Sequence, residues 1–353
     1  MADLPYEANK FTSLNGPASG TLPVSMSRLV RAAMSVGATP IAMGGHPRPL
    51  IELLWRGAMV QASLQETSGH WYKAPAYKFL DPSEKTAVSY FLGMTQAKIS
   101  CELLLGVPHL IHLDSVLQLL GAPTRTSRPD LVGYDAFSRQ FSISVEAKGR
   151  SGGWFDNIID KAKDQARLMP AVVGPKSNVC VASLAYFGSR GRWEAYLEDP
   201  PKSNSQIDDI QPSTLLVGYY RPLVAAMFEA GISESERSDA EVVTNLPGLD
   251  AKLGLPEPIV RALADIPRTG FVAPAQVEVA GSQLIEEVGE LFGRAEMANE
   301  LHHPDAEVSE VSDEPRDPWE PVRQIDAEDP TTSVGLDGVR VTLGPSWFRD
   351  RQL

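Results

Sequence analysis

The sequence predicts an α/β fold, in which strands and helices alternate along the middle of the chain. Residues 129–148 alternate between polar and apolar side chains in the manner of a β-hairpin. A long amphipathic segment, 83–105, precedes this hairpin, and a shorter helical segment, 155–169, follows it. An apolar run at 178–187 then completes a strand–helix–strand unit, whose two strands are expected to run parallel in one sheet.

The hairpin is expected to place three charged side chains on one face. If it folds symmetrically about Ser138, Asp130 lies directly opposite Glu146, because each is eight residues from the centre. Directly opposed residues on antiparallel strands share a face, with their Cβ atoms about 5 Å apart. Lys148 follows Glu146 by two residues and therefore points to the same side. The other face is apolar and fixes the register; it carries Phe141, Ile143, Val145 and Ala147.

Each predicted helix begins and ends at residues that favour a helix boundary. The segment 83–105 opens at Pro82-Ser83, a typical N-terminus, and ends at Gly106, a typical C-terminal residue. The segment 155–169 stops at Pro170, which cannot continue a helix. Further helices are predicted at 27–36, 49–65, 211–230 and 283–301, and a further strand at 192–197.

The charged set on the hairpin points to metal-assisted phosphate chemistry. Two opposed carboxylates, Asp130 and Glu146, are an unfavourable pair unless a cation lies between them. Carboxylate oxygens suit Mg²⁺, which polarises a phosphoryl oxygen and lowers the pKa of a water that it binds. Lys148 can orient or deprotonate the attacking water, or hold charge that develops on phosphorus. The alternative is a surface hairpin decorated by a Glu–Lys pair.

The sequence Pro129-Asp130 followed by Glu146-Ala147-Lys148, with an apolar strand leading into the Glu, resembles the motif of the PD-(D/E)xK nuclease superfamily. The resemblance covers about Ser83–Glu198 and implies a restriction-endonuclease-like core, a central mixed sheet flanked by helices, here with added helical segments. It implies a Mg²⁺-dependent nuclease, with Mn²⁺ as a substitute, in which the two carboxylates and the lysine are catalytic. DNA is the implied substrate, in defence against foreign DNA or in repair.

The superfamily also implies further metal ligands. The backbone carbonyl of the residue after the Glu commonly binds the ion, which here is Ala147. An additional acidic residue often comes from the helix before the hairpin, and Glu84 is the residue in that place. The alternative for Glu84 is that it complements the helix dipole from the first turn.

Nucleic-acid contacts are expected from the segment after the hairpin. Nucleases of the RecB type carry a Gln on the following helix with a Tyr four residues later; Gln165 matches the first position, but Met169 stands at the second. Arg150 and Lys161 can reach the phosphate backbone. A solvated polar surface is the alternative for all three of these contacts.

The charge of the chain is unevenly distributed. Residues 1–200 carry 20 Lys and Arg against 17 Asp and Glu, hence +3, whereas residues 201–353 carry 12 against 28, hence −16; together they give the −13 of the chain. The motif therefore lies in a mildly basic part, which is compatible with a nucleic-acid substrate. The acidic part suits a protein partner, and the alternative function is a non-catalytic binding or assembly component that retains the nuclease fold.

Composition divides the chain into five regions. They are an N-terminal extension with helices (1–80), the nuclease-like core (81–200), a mostly helical region (201–301), an acidic linker expected to be disordered (302–333), and a short strand-like segment (334–353) that docks on the main body.

Cys101 and Cys180 form no CxxC motif and predict reduced thiols in a cytoplasmic protein. No signal peptide or membrane-spanning run is recognised. Cleavage of both strands of a duplex would favour a homodimer.

Overall fold

The chain folds around one large mixed β-sheet, as shown by a computed structural model. The structure describes residues 1–12, 14–37, 48–119, 128–135, 141–154, 156–168, 170–172, 177–200, 207–232, 240–267, 272–301 and 329–348. The predicted α/β class is confirmed, since helices flank this sheet. No helix in the described part of the chain is both long enough and apolar enough to cross a membrane.

Among the described residues, nine strands form the central sheet. They are β1 (Ala2–Asn9), β2 (Ser19–Val24), β3 (Leu64–Thr67), β4 (His70–Lys73), β5 (Leu110–His112), β6 (Leu131–Tyr134), β7 (Phe141–Gly149), β9 (Ser177–Phe187) and β10 (Trp193–Glu198). Their order is β3-β4-β1-β10-β9-β7-β6-β5, and β2 pairs with β1. As predicted, β6 and β7 are antiparallel, and β7 runs parallel to β9.

The remaining strands form two smaller sheets. β8 (Pro170–Val172) pairs with β11 (Ile207–Ile210). Four strands, in the order β12-β13-β15-β14, make the second; they are β12 (Glu241–Leu246), β13 (Ala251–Pro256), β14 (Thr332–Val334) and β15 (Arg340–Leu343).

The helices of the described residues include one at each of the six predicted segments and three that were not predicted, at 75–79, 113–119 and 257–262. They are α1 (Met26–Ser35), α2 (Pro49–Ser63), α3 (Pro75–Phe79), α4 (Pro82–Leu105), α5 (Leu113–Leu119), α6 (Asp156–Ala166), α7 (Pro212–Ala230), α8 (Glu257–Ala262) and α9 (Pro274–Leu301). Two boundaries differ. α9 begins nine residues before the predicted 283. α6 ends at Ala166 rather than at 169.

The start of α4 is a capping box. The N-cap is Asp81 rather than the predicted Pro82-Ser83, because its carboxylate accepts hydrogen bonds from the backbone N–H groups of Ser83 (2.6 Å) and Glu84 (3.0 Å). Glu84 reciprocates by accepting from the Asp81 N–H at 2.8 Å. At the other end Gly106 takes the left-handed conformation, with φ of 66°, as expected for a residue that terminates a helix.

The first 80 residues contribute strands as well as the predicted helices. β1 lies inside the central sheet: one edge pairs antiparallel with β2, and the other runs parallel to β10 at residues 6–9 and to β4 at Asp3. Its buried residues alternate strictly along the strand: Ala2, Leu4, Tyr6 and Ala8. The sequence analysis assigned no strand to this segment, because the prolines and glycines that surround β1 favoured a loop. The N-terminal segment is therefore part of the same sheet that carries the hairpin.

The C-terminal segment docks on the main body, as predicted. Asp337-Gly338 forms the turn between β14 and β15, and these strands pack against α1. Residues 302–328 of the predicted acidic linker lie outside the described residues, and the end of that linker already belongs to β14. Asp337 is buried among Arg31, Lys98 and Glu102, so the turn reaches α1 and α4.

Candidate functional site

The register of the hairpin places Asp130 opposite Glu146. Leu131 pairs with Val145, and Gly133 pairs with Ile143, which is the symmetric register that the sequence predicts. Asp130 directly precedes β6 and so faces Glu146 across the strand pair. The hairpin tip at 136–140, which includes Ser138, lies outside the described residues.

Asp130 is fixed by hydrogen bonds to β7 and to the first residue of α5. Its Oδ2 accepts from the backbone N–H of Ala147 at 2.9 Å, and its own carbonyl accepts from the N–H of Leu113 at 2.9 Å. Burial raises the pKa of Asp130, whereas Lys148 and the Ala147 N–H counteract that rise. The carboxylate is therefore held at the open end of β6 in a defined orientation.

Glu146 is almost completely enclosed, with 1% of its surface exposed. Its Oε1 forms an ion pair with the Lys148 Nζ. Its Oε2 is buried and has no hydrogen-bond partner among the described residues. Burial raises the pKa of Glu146 to about 7, and the neighbouring Asp130 contributes to the rise, against the opposing charge of Lys148. An acceptor of this kind is costly to bury unless a cation or donor reaches it.

The side chain of Lys148 lies between the buried Glu146 carboxylate and solvent. Its side chain is 30% exposed, although its ammonium group contacts Glu146. The backbone at this position is clamped by α4: a Cβ placed on Gly93 would lie 2.8 Å from the N of Gly149, and one placed on Gly149 would overlap the Ser89 carbonyl. Glycine at both positions therefore lets α4 approach the end of β7 and sets the position of Lys148.

The Ala147 carbonyl faces the same edge as Asp130. In an extended strand the N–H and C=O of one residue point to the same side, as the exchanged bonds of antiparallel pairs require. The Ala147 N–H points to Asp130, so its carbonyl points past the end of β6 as well. Asp130, Glu146 and the Ala147 carbonyl therefore lie next to one another where β7 extends beyond its pairing with β6.

Two side chains that the sequence analysis did not single out lie beside Asp130. They are His112, at the end of β5, and Tyr90, on α4, whose Oη lies 3.1 Å from the His112 Nε2. Burial lowers the pKa of His112, and the charge of Asp130 opposes that change. Burial raises the pKa of Tyr90, with Asp130 and Glu146 adding to it.

An ion pair lies at the margin of the same site. Arg128 and Asp114 form a bidentate pair, in which Nη2 and Oδ2 are 2.5 Å apart. The charge of Asp114 contributes to the raised pKa of Asp130. β-Sheet pairing and the packing of α4 bring these residues together. For that reason neither the Arg128–Asp114 pair nor the His112–Tyr90 pair forms a recognisable sequence motif.

The remaining predicted residues lie around the site. Glu84 is exposed and accepts the capping hydrogen bond of α4, which accounts for its position without a metal. Lys163 on α6 pairs with Glu198 of β10. Gln165 lies about 200° further round the helix, so it is on the opposite flank of α6, the one nearer β7. Lys161 is exposed on the side of α6 away from the sheet.

Arg150 directly follows β7 and continues its pairing. Its backbone N–H donates to the Ala185 carbonyl at 2.8 Å, and its side chain is partly buried. Since Arg150 follows Lys148 by two residues, extended backbone would direct both side chains to one face. The structure therefore brings together Asp130, Glu146, Ala147 and Lys148, with Arg150 next to them and Glu84 separately engaged.

The residues present fit a Mg²⁺ ion. Among the described residues, no three His, Cys, Asp or Glu side chains form a ligand cluster. Mg²⁺ does not need one, because it commonly binds through one or two carboxylates and retains several waters. Glu146 offers a buried Oε2 without a partner, and the Ala147 carbonyl offers a further hard oxygen. The donor set is therefore adequate for this ion.

Comparison of the chain with protein-family models, with curated proteins and with solved structures gives no match. What the fold and the site define is a class: an α/β protein with a large mixed sheet flanked by helices, which carries two neighbouring carboxylates and a lysine at the end of a central hairpin.

Proposed function

We propose that the chain is a metal-dependent nuclease that hydrolyses phosphodiester bonds in DNA. The observation that carries the proposal is the buried Glu146 carboxylate, which has an unpartnered Oε2 beside Asp130 and an ion pair with Lys148. If the protein did not use these charges, a neutral residue at position 146 would cost it no stability. Metal-assisted hydrolysis of a phosphodiester can use such a set.

Each residue has a role that its position supports. Asp130, Glu146 and the Ala147 carbonyl would hold Mg²⁺ or Mn²⁺, which supplies positive charge for the phosphate and Lewis acidity for the attacking water. The Ala147 N–H orients Asp130. Lys148, with its stem partly in solvent, can donate to a phosphate oxygen while Glu146 holds its ammonium group in place.

The finer fold assignment supports the same proposal. We infer a restriction-endonuclease-like core for β5, β6, β7 and β9 with α4 and α6. In favour of it are the antiparallel β6–β7 hairpin, the parallel β7–β9 pair joined through α6, and the long α4 packed against both β7 and β9. The motif residues Pro129-Asp130 and Glu146-Ala147-Lys148 lie at one end of this arrangement.

The test is cleavage of supercoiled plasmid and of linear duplex and single-stranded substrates in Mg²⁺, Mn²⁺ or EDTA. Wild-type protein should cleave only with metal, and Asp130→Asn and Lys148→Met should each lose at least about a hundredfold in rate. Lys252→Met is the control, because Lys252 is exposed on β13. Cleavage by both site variants at the wild-type rate would disprove the assignment.

A second function is favoured by one observation. The Lys148–Glu146 ion pair neutralises one carboxylate without any metal, as it could in a non-catalytic binding or assembly component that keeps this fold. Metal binding separates the two functions. A nuclease site should bind Mn²⁺ with an affinity that Asp130→Asn abolishes, whereas a binding component should show the same weak affinity in both proteins.

A further inference from the structure

Three lysines come from successive elements, and the first of them contacts the loop that follows β7. Lys73 ends β4, Lys78 lies in the last turn of α3, and Lys85 lies in the first turn of α4. The Lys73 Nζ donates to the carbonyl of Ser151 at 2.6 Å. Because Ser151 is three residues beyond Lys148, this contact is within about 10 Å of chain from the candidate site. We call Lys73, Lys78 and Lys85 the lysine rim.

The lysine rim has no carboxylate partner in the described residues, although the Lys73 ammonium group lies 4.7 Å from the centroid of the Phe187 ring. Among the described residues, no carboxylate lies within ion-pairing distance of any of the three ammonium groups. The adjacent acids, Asp81 and Glu84, instead accept the backbone hydrogen bonds of the α4 capping box. Burial lowers the pKa of Lys73, and the charges of Lys85 and Lys78 lower it further, as expected for three like charges held close together.

An exposed aromatic side chain directly follows Lys78 of the lysine rim. Phe79, adjacent to Lys78, is 89% exposed and is by far the most exposed large apolar side chain of the described residues. The helix that carries it is nonetheless anchored, because Tyr77 is buried and its Oη lies 2.8 Å from the Oγ of Ser89 on α4. Phe79 is therefore presented to solvent from a fixed support.

We propose that the lysine rim and Phe79 bind a single-stranded segment of nucleic acid that leads into the candidate site. The lysines contact successive phosphates, and Phe79 stacks on an unpaired base. The inference rests on the proposed function and specifies its substrate class. Basic grooves combined with aromatic stacking platforms are the physical basis of single-strand binding. A duplex offers the same phosphates, but its bases are already stacked on one another and leave Phe79 without a partner.

The test is equilibrium binding in EDTA, measured by fluorescence anisotropy with the full wild-type chain, so that no cleavage is needed. The probes are a short single-stranded DNA, a single-stranded RNA of the same length, and a blunt duplex. Either single strand should bind more tightly than the duplex. Phe79→Ala should weaken single-strand binding about tenfold and leave duplex binding unchanged.

The dependence of affinity on salt concentration tests whether the lysines contact phosphates. Lys78→Gln and Lys85→Gln should each reduce the slope of log affinity against log salt by about 0.7, the change expected when one phosphate contact to a single strand is lost. Phe79→Ala should leave that slope unchanged. Matched controls are Phe348→Ala, which removes a 45%-exposed ring beyond the end of β15, and Lys252→Gln on β13. Neither control should alter binding.

The outcomes separate this inference from the proposed nuclease. Equal affinity for single strands and duplex, or unchanged binding by Phe79→Ala and Lys78→Gln, would overturn the inference even if the chain cleaves DNA in Mg²⁺. Binding that depends on the lysine rim, together with no cleavage in any metal, would uphold the inference and reject the nuclease. Preference of DNA over RNA, or the reverse, would identify which single strand the surface takes.

Discussion

The Oδ2 of Asp337 lies 2.8 Å from the Nζ of Lys98, although 239 residues separate them in the chain. Both side chains are fully buried, and Arg31 and Glu102 complete the network. Arg31 donates two hydrogen bonds to Glu102, at 3.1 and 2.9 Å. The C-terminal hairpin is thereby joined to α4, the helix whose preceding turns press against Gly149 at the candidate site.

Neutralising Asp337 should destabilise the whole protein. In Asp337→Asn, Lys98 and Arg31 keep their buried charges and retain Glu102 as their shared carboxylate, so we expect a loss of about 3–5 kcal/mol in the free energy of unfolding. Urea denaturation measures this loss. Asp329→Asn, in the same segment but exposed, should change stability by less than about 1 kcal/mol. Equal effects of the two substitutions would contradict the stabilising role of the network.

His109 should make the protein less stable in mild acid. Burial lowers the pKa of His109 to about 4, while its Nε2 lies 2.8 Å from the Tyr220 Oη. The unfolded chain, with an ordinary histidine pKa near 6.5, binds more protons between these two values, so stability falls as the pH drops from about 6.5 to about 4, by at most about 3 kcal/mol.

The measurement for His109 is the free energy of unfolding in urea across that pH range. Other groups titrate in the same range, so the difference between the wild type and His109→Gln isolates the histidine. The variant should show the shallower loss towards acid. Parallel curves for the two proteins would contradict a buried, neutral His109.

The sequence predicted those parts of the fold that depend on local patterns. The register of Asp130 against Glu146 follows from alternation along one hairpin, and α4 follows from its periodicity and its terminal Gly106. The strand β1 was missed because its flanking prolines and glycines favour a loop, although β2 pairs with it nearby in the chain, and because β10, its parallel partner, is nearly 200 residues away. His112 and Tyr90 were missed for a similar reason, since only the packing of α4 against the sheet brings them to Asp130.

Gly149→Ala should disrupt the candidate site as well as the fold. A Cβ at Gly149 would overlap the backbone carbonyl of Ser89, which cannot rotate away as a side chain could. We expect a loss of about 1–3 kcal/mol in stability from the overpacking. Since Lys148 is the preceding residue, the displaced strand should also reduce metal-dependent cleavage.

Gly152→Ala is the matched control for this change. A Cβ at Gly152 meets no atom within 4 Å, so the substitution should leave both stability and cleavage close to wild type. Thermal melting and the plasmid assay measure the two effects. If Gly149→Ala behaves like Gly152→Ala, the close approach of α4 does not position the site.

Glu146→Gln should stabilise the metal-free protein at alkaline pH while abolishing its activity. Because burial raises the pKa of Glu146 to about 7, its contribution to stability is fully present below about 4.5 and is lost as the pH rises through 7. A neutral Gln of the same shape avoids that loss, so at pH 8 the variant should be more stable by roughly 2 kcal/mol, and at pH 4.5 nearly equal to the wild type.

Glu198→Gln is the opposite control for Glu146→Gln. Ion pairs with Lys10 and Lys163 outweigh burial and lower the pKa of Glu198, so loss of this carboxylate should destabilise the protein. Mg²⁺ should raise the melting temperature of the wild type alone, because a ligand that binds only the native state stabilises it. A Glu146→Gln protein that is less stable than the wild type at pH 8 without metal would mean that this carboxylate serves the fold rather than a bound cation.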